Sequence, residues 1–193
     1  MAVEIVRFDK GEKYIEDFLW LPKVLYSKRE LTQNENEERL LLTSGHPLSN
    51  YFHITKFLVY KDAVPAARCA VTTYPGDSTA YLGFFECVDD PVCSRLLFGA
   101  AEDYAIESGC SKIIGPVDAS FWIKYRLKVN KFEDRPYISE PYNKDYYLKH
   151  FLDNGYRIME KYSSNVYKKQ SFFGYRHNKS EERYQKYAKD YDI

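Results

Sequence analysis

The chain has 193 residues, and its 28 Lys and Arg residues balance 28 Asp and Glu residues, so its formal net charge is zero. This balance excludes a basic protein that binds nucleic acid or an anionic membrane through charge. The N-terminus does not look like a signal peptide, and no apolar run reaches the roughly 18 residues of a membrane span. We therefore expect a cytoplasmic protein without nucleic-acid or membrane partners.

Cysteine and histidine usage predicts neither a disulfide framework nor a metal site. The cysteines lie in apolar contexts without a CxxC pair, and the histidines lack the spacing of metal ligands. We expect reduced, buried thiols at Cys69, Cys87, Cys93 and Cys110.

The first part of the chain predicts a strand, two helices and a meander. Residues 3–8 alternate as a strand, and residues 13–21 form an amphipathic helix that Pro22 is expected to end. A short helix over residues 37–43 follows. Three apolar runs joined by short turns then predict antiparallel strands over residues 56–60, 65–74 and 80–88.

The stretch from residue 80 to residue 116 predicts a parallel crossover unit. After its first strand, Asp90 is expected to cap a helix that starts at Pro91 and ends at Gly109. Residues 112–116 then predict a short buried strand. Such a unit places a helix N-terminus beside the ends of parallel strands, where anionic ligands often bind.

The remainder of the chain combines a long irregular segment with two helices and a strand. Residues 117–141 are rich in aromatic and charged residues without a clear period, which predicts a functional loop or lid. A helix over residues 143–154, a strand over residues 156–168 and a charged terminal helix over residues 179–191 are expected next. The tyrosines of that terminal helix offer one option for a homodimer contact.

Short motifs along the chain carry a resemblance to a known superfamily. They are Gly83-Phe84-Phe85-Glu86, Asp89-Asp90, Gly115-Pro116, Ser120-Phe121-Trp122 with Tyr125-Arg126-Leu127, and Glu140-Pro141-Tyr142-Asn143. Together with the element order, these motifs make the chain similar to the GCN5-related N-acetyltransferase (GNAT) superfamily. Within it, the chain resembles a bacterial branch of acetyltransferase-like proteins, over most of residues 3–169.

The resemblance implies a fold, a domain division and an activity. The fold is α/β (α+β), with a mixed, mostly antiparallel central sheet, a parallel splayed strand pair and flanking helices, as in GNAT-like acyl-CoA N-acyltransferases. The GNAT-like domain would cover residues 1–170, and a tail helix residues 171–193. The implied activity is an acetyl-CoA-dependent N-acetyltransferase acting on an amine of a small molecule or peptide.

The resemblance also implies where acetyl-CoA would bind. In this fold the pantetheine lies along the first central strand, whose N–H at Cys87 or Val88 would bind the thioester oxygen. Asn143 is a further expected coenzyme contact. The pyrophosphate would lie on the loop and helix N-terminus that contain Asp89, Val92, Cys93, Ser94 and Arg95.

The chain departs from the pattern of the superfamily at two places, and a second interpretation therefore stays open. The pyrophosphate loop lacks the usual glycines, and Asp89 and Asp90 would repel a pyrophosphate. Phe151 replaces the tyrosine that usually protonates the leaving thiolate, so Tyr146 or Tyr147 would have to substitute one helical turn earlier. The alternative is a non-catalytic GNAT-fold module that binds a ligand or a partner.

Glu86 is the strongest catalytic candidate, because it is the only charged residue in an apolar central strand. Burial there would raise its pKa toward the range of a general base for an amine. The competing interpretation is a structural carboxylate that pairs with an Arg or Lys of the long segment.

The long segment and the start of the next helix supply candidates for an acceptor pocket. An arginine, Arg126 or Arg135, could pair with an acceptor that carries a carboxylate. The alternative is that the aromatic residues only anchor the loop to the core. The candidates are Trp122, Tyr125, Arg126, Glu140 and Tyr142.

Overall fold

A computed structural model of the chain describes residues 2–134 and 140–164. The chain divides into two compact units, Met1–Arg157 and Ile158–Ile193. Arg135, the terminal helix expected over residues 179–191 and the expected domain boundary at residue 170 lie outside the described residues. No helix within the described ranges is long and apolar enough to cross a membrane.

The first unit is built on a five-stranded sheet. The strand order is β1-β2-β3-β4-β5, in which β4 and β5 pair in parallel and the other neighbours are antiparallel. The expected mixed, mostly antiparallel sheet with flanking helices is confirmed. The elements are β1 (Val3–Phe8), α1 (Glu12–Leu25), α2 (Glu35–Leu42), β2 (His53–Lys61), β3 (Val64–Thr73), β4 (Thr79–Cys87), α3 (Pro91–Glu107), β5 (Lys112–Ile114), β6 (Val117–Asp118), β7 (Lys124–Tyr125) and α4 (Tyr147–Asp153), with a 3-10 turn at Pro47–Asn50.

A bulge in β4 divides neighbouring side chains between two hydrophobic cores. The register between β3 and β4 shifts at Cys69, and Phe84 adopts a positive φ of 52° there. As a result Phe84 packs in the core beside α1 and α2, whereas Phe85 packs in the core beside α3 and α4. The bulge thus anchors the end of β4 from both faces of the sheet.

The prediction that Pro22 ends the first helix is wrong, because α1 continues to Leu25. Pro22 has no N–H, so the carbonyl of Phe18, four residues earlier, has no donor within the helix. The Arg68 guanidinium of β3 takes that place, with Nη1 2.8 Å from the Phe18 oxygen. A side chain from the sheet therefore repairs the gap that the proline leaves.

Two other expected elements differ from the structure. The helix expected from residue 143 begins at Tyr147, because the Asn143 amide bonds both the N–H and the C=O of Lys128 and stays outside the helix. The strand expected over residues 156–168 is absent from its described part, residues 156–164. Alternating polarity indicates a strand only where a neighbouring strand provides an edge to pair with.

Beyond the short parallel pairing of β4 with β5, the neighbouring strand β6 packs against β4. β4 and β5 pair only from Thr79 to Tyr81 and from Lys112 to Ile114, and β6 then crosses β4 at Gly83. A Cβ at Gly83 would lie 2.0 Å from the Val117 carbonyl oxygen. Only glycine lets the two backbones approach this closely.

Replacing Gly83 by Ala should destabilise the fold by about 3 kcal/mol, because the added methyl overlaps a rigid backbone atom. Gly99→Ala is the matched control. No atom lies within 4 Å of a Cβ at this exposed site on α3, so stability should rise by about 0.5–1 kcal/mol. Urea unfolding measures both changes. Equal stabilities for the two variants would contradict the close approach of β6 to β4 at Gly83.

Candidate functional site

Glu86 lies near the end of β4 and is almost completely buried, with 7% exposure. Its Oε2 accepts two tyrosine hydroxyls, Tyr26 at 2.8 Å and Tyr147 at 2.7 Å. Burial raises the pKa of Glu86, while the positive charges of Arg68 and Lys124 and the two hydroxyls oppose that rise. The carboxyl therefore holds a proton more readily than an ordinary glutamate.

The second carboxylate oxygen of Glu86, Oε1, has no donor among the described residues, and Glu86 lines a small cavity. The cavity measures about 30 Å³ and lies between the end of β4 and the segment that carries β6 and β7. This volume accommodates about two or three water molecules. The charged groups around it are Arg68, Glu86, Asp118, Lys124 and Arg126.

Arg68 faces Glu86 directly across the β3–β4 pair and is 1% exposed. Its two terminal nitrogens bond the Glu38 carboxylate of α2 at 3.1 and 3.5 Å, and Nη1 also bonds the Phe18 oxygen. Its Nε–H is buried without an acceptor in the described part of the chain. The guanidinium is thus held rigidly between α1 and α2.

The segment after β5 adds a carboxylate, Asp118, and an ammonium group, Lys124, to the cavity wall. Asp118 Oδ1 accepts the N–H of Phe84 at 2.5 Å, and the Lys124 ammonium lies 3.7 Å from Asp118 Oδ2. Burial raises the pKa of Asp118, against the attraction of Lys124 and the Phe84 N–H. Because 3.7 Å exceeds a normal hydrogen-bond length, the Lys124 ammonium is attracted to the Asp118 carboxylate but forms no hydrogen bond with it.

Two tyrosines cover the strand end where the thioester is expected to bind. Tyr147 is the first residue of α4, and Tyr146 directly precedes it. The Cys87 N–H donates to the Tyr147 hydroxyl at 3.0 Å, and the Tyr146 hydroxyl donates to the Cys87 carbonyl at 2.9 Å. The Val88 N–H donates to the Ala66 carbonyl. Both expected thioester donors are therefore already engaged within the protein.

The N-terminus of α3 carries the expected Asp90 cap. The Asp90 carboxylate accepts the Val92 N–H at 2.8 Å and pairs with the Lys61 ammonium at 2.5 Å. These partners lower the pKa of Asp90, with Lys61 the larger cause. A negative charge thus already occupies the position expected for the pyrophosphate, and of the other expected contacts Cys93 and Ser94 are buried while Val92 and Arg95 are exposed.

The candidate acceptor residues separate into two groups. Tyr125, Arg126, Tyr142 and Asn143 line the cavity, and Glu140 pairs with Arg126 at 2.9 Å. Trp122 is 94% exposed and does not line the cavity. Of the candidate acceptor residues, those from Tyr125 onward therefore lie at the cavity or beside it, and Trp122 does not.

Phe151, where the resemblance predicts a tyrosine acid, belongs to an aromatic cluster. Its ring lies 5.0 Å from Phe85 and 4.8 Å from Phe98, in edge-to-face arrangements. One helical turn earlier, Tyr147 reaches both Glu86 and Cys87. The position of Phe151 is structural here, and the hydroxyl nearest to the buried carboxylate belongs to Tyr147.

Four residues of the site escaped the sequence analysis: Tyr26, Arg68, Asp118 and Lys124. Arg68 carries the clearest signal, because it interrupts the apolar run Ala66–Val71 of β3 as Glu86 interrupts β4. Two opposite charges in neighbouring apolar strands predict a buried cross-strand pair. Tyr26 and Lys124 carry no comparable signal, since their roles depend on tertiary contacts.

Sequence comparisons give one partial match. No protein-family profile matches the chain. Over 81 residues, or 42% of the chain, it is 33% identical to Protein YghO of Escherichia coli (strain K12). The match spans 21% of the length of that protein.

Structural comparisons cover much more of the chain. A tandem GNAT protein from the clavulanic acid biosynthesis pathway superposes with a TM-score of 0.55 and 11% identity, over 80% of this chain and 43% of that one. The aminoglycoside N-acetyltransferase AAC(6')-Iy, bound to the bisubstrate analogue CoA-S-monomethyl-acetylneamine, superposes with a TM-score of 0.51 and 14% identity, over 89% of this chain and 100% of that one. The chain has the GNAT fold.

Both polar backbone groups of Cys87 are occupied at the end of β4. Beyond the β4–β5 pair, where β6 crosses, the Tyr146 and Tyr147 hydroxyls bond the Cys87 C=O and N–H. A ligand that bonds the Cys87 backbone must displace these hydroxyls.

Replacing Glu86 by Gln should change stability in a pH-dependent way. Burial raises the pKa of Glu86 above its usual 4.5, so above pH 4.5 the folded protein binds more protons than the unfolded chain. The stability that Glu86 contributes is complete below pH 4.5 and is lost as the pH rises through its folded pKa. Gln does not titrate, so the variant should gain stability relative to the parent over that interval.

Urea unfolding of both proteins across a pH series measures this difference. A stability difference that stays constant, or that shifts in favour of the parent as the pH rises, would contradict a raised pKa at Glu86.

Proposed function

We propose that the chain is an acetyl-CoA-dependent N-acetyltransferase that acts on an amine of a small molecule or peptide. The observation that carries the proposal is the Glu86 carboxylate at the central opening of a GNAT fold, with one oxygen held by two tyrosines and the other without a donor beside a cavity. Its raised pKa suits a base that must take a proton near neutral pH.

In this proposal Glu86 takes the proton that the attacking amine releases as its nitrogen bonds to the acetyl carbon. Tyr147 donates a proton to the sulfur as the carbon–sulfur bond breaks, and recovers one from Glu86 through their 2.7 Å hydrogen bond. Both residues then return to their starting states. The Tyr147 pKa is raised well above its usual range, first by burial and then by the Glu86 charge, so the hydroxyl keeps its proton until the thiolate forms.

Binding of the coenzyme would use the strand end that Tyr146 and Tyr147 cover. The hydroxyl oxygen of Tyr147 accepts the Cys87 N–H just as a thioester oxygen would, so a thioester can replace it without leaving the N–H unsatisfied. The exposed Arg95 on α3 supplies a positive charge for a phosphate, against the negative charges of Asp89 and Asp90. Asn143 supports the site indirectly, through the backbone of Lys128.

A second candidate is a GNAT-fold module that binds a ligand or partner without catalysis. The Asp90 cap favours it, because the carboxylate and its Lys61 partner already occupy the N-terminus of α3. The two candidates make different predictions for the coenzyme.

Acetyl-CoA at about 100 times its dissociation constant should stabilise the protein by about 2.7 kcal/mol, which raises its melting temperature. Glu86→Gln should keep that shift and slow acetyl transfer by about 10²- to 10⁴-fold, since only the proton acceptor is lost. Calorimetry and thiol release measure the two quantities. The absence of binding at millimolar acetyl-CoA would contradict the transferase and favour the module.

Removing the cover from Cys87 should improve coenzyme binding. Tyr147→Phe frees the Cys87 N–H, whereas the matched control Tyr26→Phe removes the other Glu86 donor and leaves Cys87 covered. Both should lose about 1–2 kcal/mol of stability. Only Tyr147→Phe should bind acetyl-CoA more tightly while transferring more slowly. Equal affinities in the two variants would contradict the displacement of Tyr147.

A further inference from the structure

We propose that His150 and Asp89 form an acid-sensitive switch that sets how strongly the N-terminus of α3 attracts a pyrophosphate group. When the imidazole gains a proton, it pairs with the Asp89 carboxylate and cancels the charge that repels the anion. Assigning that pyrophosphate to acetyl-CoA rests on the function proposed above, whereas the switch itself does not.

The imidazole of His150 is buried beside the loop that joins β4 to α3. The residue is 3% exposed, and its Nε2 atom has no hydrogen-bond partner in the described part of the chain. Oδ1 of Asp89 lies 4.0 Å from this nitrogen. That distance exceeds a hydrogen bond, but it is short enough for a strong attraction once the ring carries a charge.

The loop carries two negative charges that differ in their partners. Asp90 pairs with the Lys61 ammonium at 2.5 Å and caps α3 through the Val92 N–H. The Asp89 side chain is 71% exposed, and among the described residues no lysine or arginine pairs with it. The charge of Asp89 is therefore the one left to repel an anion at this helix end.

The charged groups around His150 come from the loop and from its own helix. Burial lowers the pKa of His150, while the Asp89 charge and the Val88 backbone carbonyl oppose that fall. On α4, Asp153 favours the charged ring and Lys149 disfavours it. His150 is therefore neutral at neutral pH and gains its proton in mild acid.

Two further elements pack near the imidazole through aromatic rings. The Tyr146 ring, directly before α4, has its centroid 5.4 Å from that of the imidazole, and α3 meets α4 through Phe98 and Phe151. Burial raises the pKa of Tyr146, so its hydroxyl stays neutral. These contacts add no charge, and the loop carboxylate remains the partner that protonation engages.

Protonation of His150 changes the net charge that an anion meets. With a neutral imidazole, the Asp89 carboxylate opposes the exposed Arg95 and the positive end of the α3 dipole. With a charged imidazole, the pair is neutral and Arg95 acts unopposed. Falling pH should therefore strengthen anion binding, whereas the titration of a phosphate ligand itself works in the opposite direction.

The test measures the binding of inorganic pyrophosphate and of acetyl-CoA by calorimetry at low ionic strength, from about pH 5 to about pH 8. The affinity of the parent divided by that of His150→Gln at the same pH cancels the titration of the ligand. This ratio should rise by about threefold as the pH falls. His53→Gln, at an exposed histidine of β2, is the matched control and should keep the pH dependence of the parent.

Asp89→Asn gives a second measurement at an exposed position. The variant should bind pyrophosphate about threefold more tightly than the parent near pH 8 and with equal affinity near pH 5. An NMR titration of the imidazole should show a lower pKa for His150 in this variant, because the carboxylate that favours the charged ring is gone.

The outcomes separate the switch from the proposed function. Binding of pyrophosphate with the expected pH dependence, but no binding of acetyl-CoA, would support the switch and contradict the transferase. Binding of acetyl-CoA with a constant affinity ratio would overturn the switch and leave the transferase in place. A His150 pKa that Asp89→Asn leaves unchanged, or no binding of either ligand at any pH, would also overturn the switch.

Discussion

The structure depends on keeping a carboxylate inside its sheet. An isolated buried charge is strongly unfavourable, so Glu86 needs donors and opposite charges around it. These come from separate parts of the chain: Tyr26 beyond α1, Arg68 on β3, Lys124 on β7 and Tyr147 on α4. Glu86 therefore links several elements around the cavity, through two hydrogen bonds and the attraction of two positive charges.

The main framework could be predicted from the sequence because local signals agree with the fold. β1 matches its predicted bounds, and Asp90, Pro91 and Gly109 mark the ends of α3 through ordinary capping preferences. The failures occur where a distant side chain overrides a local rule. Pro22 does not end α1 because Arg68 bonds the freed carbonyl, a contact that no local pattern contains.

The site was only partly predictable for the same reason. A lone charge in an apolar strand identified Glu86, but its two tyrosine partners are about sixty residues away on either side. The covering of Cys87 by Tyr146 and Tyr147 depends on where α4 begins, and that start is set by the Asn143 side chain. The motifs that resemble those of the GNAT superfamily predict where the opening lies, whereas these contacts determine which groups are accessible at the end of β4.

The proline in α1 has a mechanical consequence. The Phe18 carbonyl that Pro22 leaves without a helical donor is one of the two anchors of the Arg68 guanidinium, the other being Glu38 of α2. Movement of α1 along its axis would therefore drag the arginine, and a load on the arginine would pull on α1. The backbone of α1 therefore helps to set the position of an arginine in the cavity wall.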